Sequence, residues 1–291
     1  MPAMTAMRQL TGTAFTIRDQ PWTEVVAIAR QGEALGYDAV LLPEITGTRD
    51  ALATLVGVAA ETETLMLGTG VIPMGSRTSR LAAMAAATVQ ERSGGRLVLG
   101  VGTGGSAPGA LDRLRTYVAE LHEHLSSSLL PLPEPVPIWI AALGPRAVRL
   151  AGETADGVIL NWCTPERVAV ARDAIRVAAG EVGRDPDAVT IAVYVRAAFS
   201  ARADEALHAA AAEYASYLAY ARQFEAMGVQ PTADAVVEAV CLRGDPGEAR
   251  TRLETYRAAG ADLPVVYPVL APGETAQASI ETLIALAPEV A

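Results

Sequence analysis

Eight times along this chain, a short continuous apolar run gives way to an alanine-rich amphipathic stretch. The runs are residues 8–15, Asp38–Pro43, Leu65–Val71, Arg96–Gly102, Pro137–Ala142, Asp156–Asn161, Val189–Ala198 and Leu263–Val269. Blocks such as Leu97-Val98-Leu99 and Val158-Ile159-Leu160 do not alternate apolar with polar residues. That pattern marks strands covered on both faces, as in a parallel sheet. Helical signals lie between the runs. Thr164-Pro165-Glu166 supplies an N-cap, a first-turn proline and an early acid, with Val168, Ala171 and Ile175 on the inner face behind it. Leu81, Met84, Thr88 and Val89 form a one-sided stripe that stops at Gly94-Gly95. Strand and helix alternating eight times predict an α/β fold, a single (β/α)8 TIM barrel spanning residues 1–291. The stretch 202–240, between the seventh and eighth strands, is longer than a crossover helix requires. It is expected to be a helical insertion near the barrel mouth.

Composition narrows the function. A chain of 291 residues can bury a large core without a metal or disulfide staple. Cys163 and Cys241 stand alone and suggest no redox pair. No apolar run approaches the roughly 20 residues of a membrane span. Met1–Leu10 lacks the charged stretch and apolar block of a secretory signal, so the expected location is cytoplasmic. A formal net charge of −10 argues against a nucleic-acid partner. All 23 basic residues are arginine. Without lysine, Schiff-base, pyridoxal-phosphate and phosphate-loop chemistry are all excluded.

In a barrel of this kind the site is built just after the strands. There the chain carries glycine: Leu67-Gly68-Thr69-Gly70-Val71, then Gly100-Val101-Gly102-Thr103-Gly104-Gly105, then Ala141-Ala142-Leu143-Gly144-Pro145. Small residues let a flat ring or a phosphate approach the backbone. Gly144-Pro145 opens a helix whose free N–H groups favour an anion. Gly100, Gly102 and Gly105 match G-x-G-x-x-G, but the matching acid, Glu120, falls within the helical stretch Leu111–His122 and not at a strand end. His122-Glu123-His124 has i, i+2 spacing, which points to different helix faces, so no metal site is expected. His208 reads as a surface residue, and no G-x-S-x-G elbow is present. Glu44, directly after Val40-Leu41-Leu42-Pro43, is the catalytic candidate. It could contact a ring N–H or donate a proton, or it could serve as an N-cap or pair with nearby Arg49. Asn161-Trp162 follows the sixth strand and offers an amide beside an apolar wall. Tyr214, Tyr217 and Tyr220 recur at i, i+3 and i+6, a spacing that suits packing or a subunit contact.

These blocks resemble the bacterial luciferase-like superfamily. Gly36-Tyr37-Asp38-Ala39-Val40, Gly68-Thr69-Gly70-Val71 and Ser93-Gly94-Gly95-Arg96 through Gly104 carry the likeness. So do Pro137–Pro145 and Ala151–Val158. Asn161-Trp162-Cys163-Thr164-Pro165-Glu166 is similar to the branch that uses the deazaflavin coenzyme F420. The resemblance implies a barrel, usually a homodimer, with the ring system at its C-terminal mouth. It implies a cis peptide at Gly70–Val71 and cofactor contacts from Thr69, Gly70, Val71, Gly102, Thr103, Gly104, Ala141, Ala142, Leu143, Gly144, Pro145 and Asn161. The implied activity is hydride transfer between F420 and a small organic substrate: an imine, an activated C=C, or an alcohol or carbonyl. An FMN-dependent monooxygenase and a non-catalytic cofactor-binding subunit are the alternatives. Where many relatives carry Asp-His after the second strand, this chain has Glu44-Ile45. Its stretch from Gly105 to Pro137 is also short.

Overall fold

The computed structural model describes residues 10–18 and 20–288. The strands are β1 (Gly12–Ala14), β2 (Ala39–Leu42), β3 (Met66–Thr69), β4 (Ile72–Pro73), β5 (Leu97–Gly102), β6 (Ile138–Ala141), β7 (Gly157–Asn161), β8 (Thr190–Ala197), β9 (Cys241–Leu242) and β10 (Leu263–Pro268). The helices are α1 (Trp22–Ala34), α2 (Ala51–Glu61), α3 (Ser79–Ser93), α4 (Ala110–Ser126), α5 (Pro145–Thr154), α6 (Pro165–Glu181), α7 (Ala203–Ser216), α8 (Leu218–Ala226), α9 (Ala233–Val240), α10 (Pro246–Ala258) and α11 (Ala276–Ala285).

All strand pairings are parallel, in the order β10-β1-β2-β3-β5-β6-β7-β8, and β10 pairs with β8 to close the barrel. β4 and β9 are two-residue additions beside β5 and β8. Each of the eight expected runs contains a barrel strand, although residues 8–9 of the first lie outside the described residues.

One face of each strand packs on the helices and the other fills the barrel. Ala14, Leu41, Val98, Trp139, Ile159, Tyr194 and Val265 form the interior. Val40, Leu42, Leu67, Leu99, Ile140, Leu160 and Val266 face the helices. Burying each such Val, Leu or Ile contributes about 1.5–3 kcal/mol. At the closed end, three aspartates preceding strands staple the neighbouring strand. Asp38 accepts from Thr11 N, Asp156 from Ile138 N and Asp262 from Ile191 N, each at 2.8 Å.

Helix ends follow their sequence signals. Thr164 caps α6 through Arg167 N, with Pro165 in the first turn, and Gly94 ends α3 in the left-handed region at φ 68°. The stripe on α3 is a correction. Leu81 and Met84 point outward, 54% and 61% exposed, and the buried face is Ala82, Ala83, Ala86, Ala87, Val89 and Gln90. Alanines win the inner face because α3 sits close to its neighbours, where a longer side chain has no room. The 202–240 stretch forms α7, α8 and α9, whose Leu207, Phe224, Val236, Val237 and Val240 share an apolar cluster with Trp162. No helix of the described residues is long and apolar enough to cross a membrane.

Candidate functional site

The ladder between β3 and β5 breaks after Gly68 and resumes with β4 at Ile72. Between them the Gly70–Val71 peptide is cis. Thr69 repairs the gap: its hydroxyl donates to Gly100 O at 2.7 Å and accepts from Gly100 N at 2.9 Å. Gly100 is needed for that approach, because a Cβ there would lie 2.0 Å from Thr69 O. The bulge is tied down from β2, as Gly70 N donates to Leu42 O at 2.9 Å and Glu44 N to Val71 O at 3.3 Å. From across the barrel, the Tyr194 hydroxyl donates to Gly70 O at 3.1 Å.

The predicted contact residues divide. Gly70, Val71, Thr103, Ala141, Leu143 and Asn161 are half-buried around the mouth, while Gly104, Gly144 and Pro145 are exposed on its rim. Gly102 is buried directly under Val71, whose Cγ2 would lie 2.9 Å from a Cβ at that position. Two side chains do not face the mouth. Thr69 is fully buried on the ladder, and Ala142 is buried on the helix-facing side, its N–H donating to Ile159 O. Strand parity explains both, since each neighbours a residue that points inward.

Glu44 is held by three donors. Its carboxylate pairs with Arg77 and accepts from Ser76 Oγ at 2.9 Å and Ala51 N at 3.3 Å. Of the roles the sequence leaves open, these contacts display ion pairing and a bond to the first N–H of α2, whose N-cap is Asp50; the ionic partner is Arg77 instead of Arg49. Arg49 donates to Gln20 O and stacks on Trp22. Arg77 also meets Asp50 at 2.9 Å, so Glu44 and Asp50 bind the segment after β4 to the start of α2.

Opposite the glycine rim, the mouth is aromatic. Asn161 Nδ2 donates to Tyr220 Oη at 3.0 Å, and Gln223 Nε2 donates to the carbonyls of Asn161 and Trp162 at 2.8 and 2.7 Å. These bonds clamp α8 onto the end of β7. Trp162 takes the left-handed region at φ 51° and is 1% exposed. Its ring lies 4.9 Å from Tyr214, which meets Tyr220 edge-on at 4.8 Å. The tyrosine repeat therefore packs, and it packs onto the mouth. Burial pushes the phenols of Tyr220 and Tyr267 up to about 12, so they stay protonated as hydrogen-bond donors.

Sequence reasoning missed Tyr194, Arg196 and Tyr267. The available signal was the parity of Thr190–Ala197, which places Ala192, Tyr194 and Arg196 on one face, with an arginine inside an otherwise apolar strand. His122 and His124 lie on α4, and no cluster among the described residues could hold a metal. Glu120, also on α4, accepts from Ser79 Oγ at 2.6 Å, far from any dinucleotide geometry. A cleft of about 430 Å³ runs along Phe199, Arg202, Asp204 and Arg243, and it shares no lining residue with the predicted set.

Comparison with known proteins places this geometry. The chain is 29% identical over 259 residues to the 5,10-methylenetetrahydromethanopterin reductase of Methanolobus tindarius, covering 79% of each. Among solved structures, the coenzyme F420 dependent tetrahydromethanopterin reductase of Methanopyrus kandleri superposes with a TM-score of 0.73 at 20% identity, covering 95% of this chain and 97% of that one. The oxygenating constituent of the 3,6-diketocamphane monooxygenase of Pseudomonas putida, in complex with FMN, gives 0.73 at 16% identity, covering 98% of each. The model of the luciferase-like monooxygenase family matches residues 3–126 and 112–263. The barrel, its bulge after the third strand and this match agree: the chain belongs to the luciferase-like monooxygenase family.

Proposed function

We propose that this chain is an F420-dependent oxidoreductase that transfers a hydride between the deazaflavin and a small organic substrate. The observation that carries the reading is the asymmetric mouth, a glycine-lined rim along β3, β5 and β6 facing an aromatic wall along β7, β8 and β10. The M. tindarius reductase is similar along most of both chains, and the M. kandleri tetrahydromethanopterin reductase of the same fold is coenzyme F420 dependent, which favours the deazaflavin over FMN.

The residues fit such a group. At Gly144 and Gly105 nothing lies within 4 Å of where a Cβ would stand, so the rim is open. No side chain caps α5 at Gly144, which leaves the backbone N–H groups of Leu143, Gly144 and Arg146 for a phosphate, Pro145 having none. Asn161 Oδ1 is buried without a hydrogen-bond partner and would accept from a ring N–H. Thr103, Gly104 and Ala141 would line the ring's edge, with Val71 against its face. When bound, the deazaflavin supplies or accepts the hydride. Tyr194 fixes Gly70 from behind. Glu44 fixes Val71 through its N–H, and through its carboxylate holds Ser76 and Arg77, just beyond the bulge. Glu44 serves here as a positioning residue.

Titrating the purified full-length chain separately with F420 and FMN, read by cofactor fluorescence, tests the reading. Preferential F420 binding is expected. Tighter FMN binding with oxygen-dependent turnover would establish the monooxygenase alternative, and binding of neither would favour a non-catalytic subunit. A cytoplasmic homodimer completes the proposal. The exposed Leu81 and Met84 on α3 supply an apolar face for a second copy.

A further inference from the structure

Arg196 sits on β8 two residues beyond Tyr194 and is only 5% exposed. Its guanidinium carbon lies 3.9 Å from the centre of the Tyr267 ring, 5.1 Å from Trp162, 5.5 Å from Tyr194 and 5.7 Å from Tyr214. Among the described residues no carboxylate pairs with it, and its Nη1 is buried with no hydrogen-bond partner. This is out of keeping with a chain in which acids outnumber arginines, 33 to 23, and in which Arg77 meets Glu44 and Asp50.

Physics makes the arrangement costly. Aromatic faces attract a guanidinium, but they do not replace the directional hydrogen bonds of its five N–H donors. Leaving a buried charge without a counter-charge costs more than such contacts return. A second donor nearby is also unused. Trp162 Nε1 is buried without a partner, on the ring that Arg196 stacks against. Two buried, unspent donors inside an aromatic box, with no acid among the described residues paired to them, describe a receptor for an oxyanion.

We infer that Arg196 receives a carboxylate carried by the substrate, so that the substrates are small, flat, anionic molecules. The planar guanidinium fork matches a carboxylate's two oxygens, and the indole N–H of Trp162 supplies another donor. The rings of Tyr214 and Tyr267 would wall the attached carbon frame. This specificity rests on the proposed oxidoreductase reading, although anion binding at Arg196 does not depend on it. The same chemistry could instead meet an oxyanion of the cofactor, and the test separates the two.

The full-length chain without cofactor is titrated with acetate, benzoate, cinnamate, inorganic phosphate and neutral benzamide, followed by indole fluorescence and thermal shift. Saturable binding of benzoate or cinnamate is expected, with benzamide weaker by at least about tenfold, the loss of a charge-assisted pair. Arg196→Gln should abolish the carboxylate response and the associated rise in Tm, while its own Tm without ligand stays level or rises. Its F420 affinity should stay within about twofold, because no cofactor contact is assigned to Arg196. Three results overturn the inference: no carboxylate binds, benzamide binds as well as benzoate, or Arg196→Gln still binds benzoate. If no carboxylate binds but Arg196→Gln weakens F420, the oxyanion is the cofactor's and the substrate assignment fails. If carboxylates bind through Arg196 while F420 does not bind at all, the proposed function fails and the receptor stands.

Discussion

Substituting Gly70 by alanine tests the geometry on which the mouth depends. A Cβ at Gly70 would stand 1.6 Å from the Tyr194 hydroxyl and 2.8 Å from its Cζ, with Leu41 Cβ next at 3.3 Å. Contacts below 3.0 Å require something to move, and the tyrosine ring, in the barrel interior among Leu41, Val98 and Ile159, has little room to do so. Overpacking of this kind costs about 1–3 kcal/mol. Most of it should come from Tyr194, so the cost is expected to vanish when that ring is shortened. Tyr194→Leu alone loses packing and the 3.1 Å bond to Gly70 O, the latter worth about 1 kcal/mol. In that background Gly70→Ala should cost only a few tenths, from Leu41. Equilibrium urea unfolding of the wild type, both single variants and the double variant gives the coupling directly, expected at about 1–3 kcal/mol in favour of the double variant. Additive losses, or a Gly70→Ala penalty unchanged by Tyr194→Leu, would refute the close approach of Tyr194 to the bulge.

Other consequences can be measured separately. Glu44→Gln removes the carboxylate that pairs with Arg77, whose side chain is 11% exposed; stability should fall by about 3 kcal/mol, the lower end for a broken buried pair, because Asp50 remains. If Glu44 were instead the proton donor, the same variant would keep its Tm and lose kcat. Burial pushes the thiols of Cys163 and Cys241 up to about 12, so a thiol-detecting disulfide reagent at pH 8 should find neither in the native chain and both after denaturation. Glu33 titrates below its ordinary 4.5: burial opposes this, but hydrogen bonds from Thr64, Glu63 and Leu65 outweigh it. Its stabilisation is therefore complete above that value and is lost as pH falls through the lowered one. The decline of Tm on acidification should be shallower in Glu33→Gln than in the wild type.

The fold was legible because burial on both faces writes itself into sequence as uninterrupted apolar runs, as at Val40-Leu41-Leu42 and Leu97-Val98-Leu99. Turn chemistry was equally local, so Thr164-Pro165 and Gly94 could be placed without knowing the tertiary structure. The α3 stripe was misleading for a physical reason. Close helix packing gave the inner face to alanine, and the larger Leu81 and Met84 were left outside. The glycine half of the mouth was legible because glycine there serves close approach. The aromatic half was legible only in part: Trp162 reads as an apolar wall and Tyr214 as packing, but Tyr194, Arg196 and Tyr267 come from β8 and β10 and no local pattern joins them. Pairings such as Tyr267 with Arg196 exist only once β10 closes on β8. Glu44 stands just beyond β2, as its position in the sequence implies, but its partner, Arg77, lies 33 residues away and no spacing rule reaches it.

On the proposed reading, the two halves of the mouth divide the labour. The glycine half, from Gly70 through Gly102 to Gly144, presents backbone and almost no functional side chains, so it can select only by shape and by N–H groups. A cofactor common to many reactions needs no more than that. The other half presents a guanidinium, an indole, an amide and phenols that stay protonated, which is where discrimination between substrates can be built. Tyr194 belongs to both, its hydroxyl on Gly70 O and its ring under Arg196. A change at Tyr194 should therefore disturb cofactor and substrate binding together, whereas Arg196→Gln should disturb only the substrate side. Measuring both affinities in Tyr194→Phe and Arg196→Gln separates a partitioned mouth from a single undivided pocket, in which either variant would shift both.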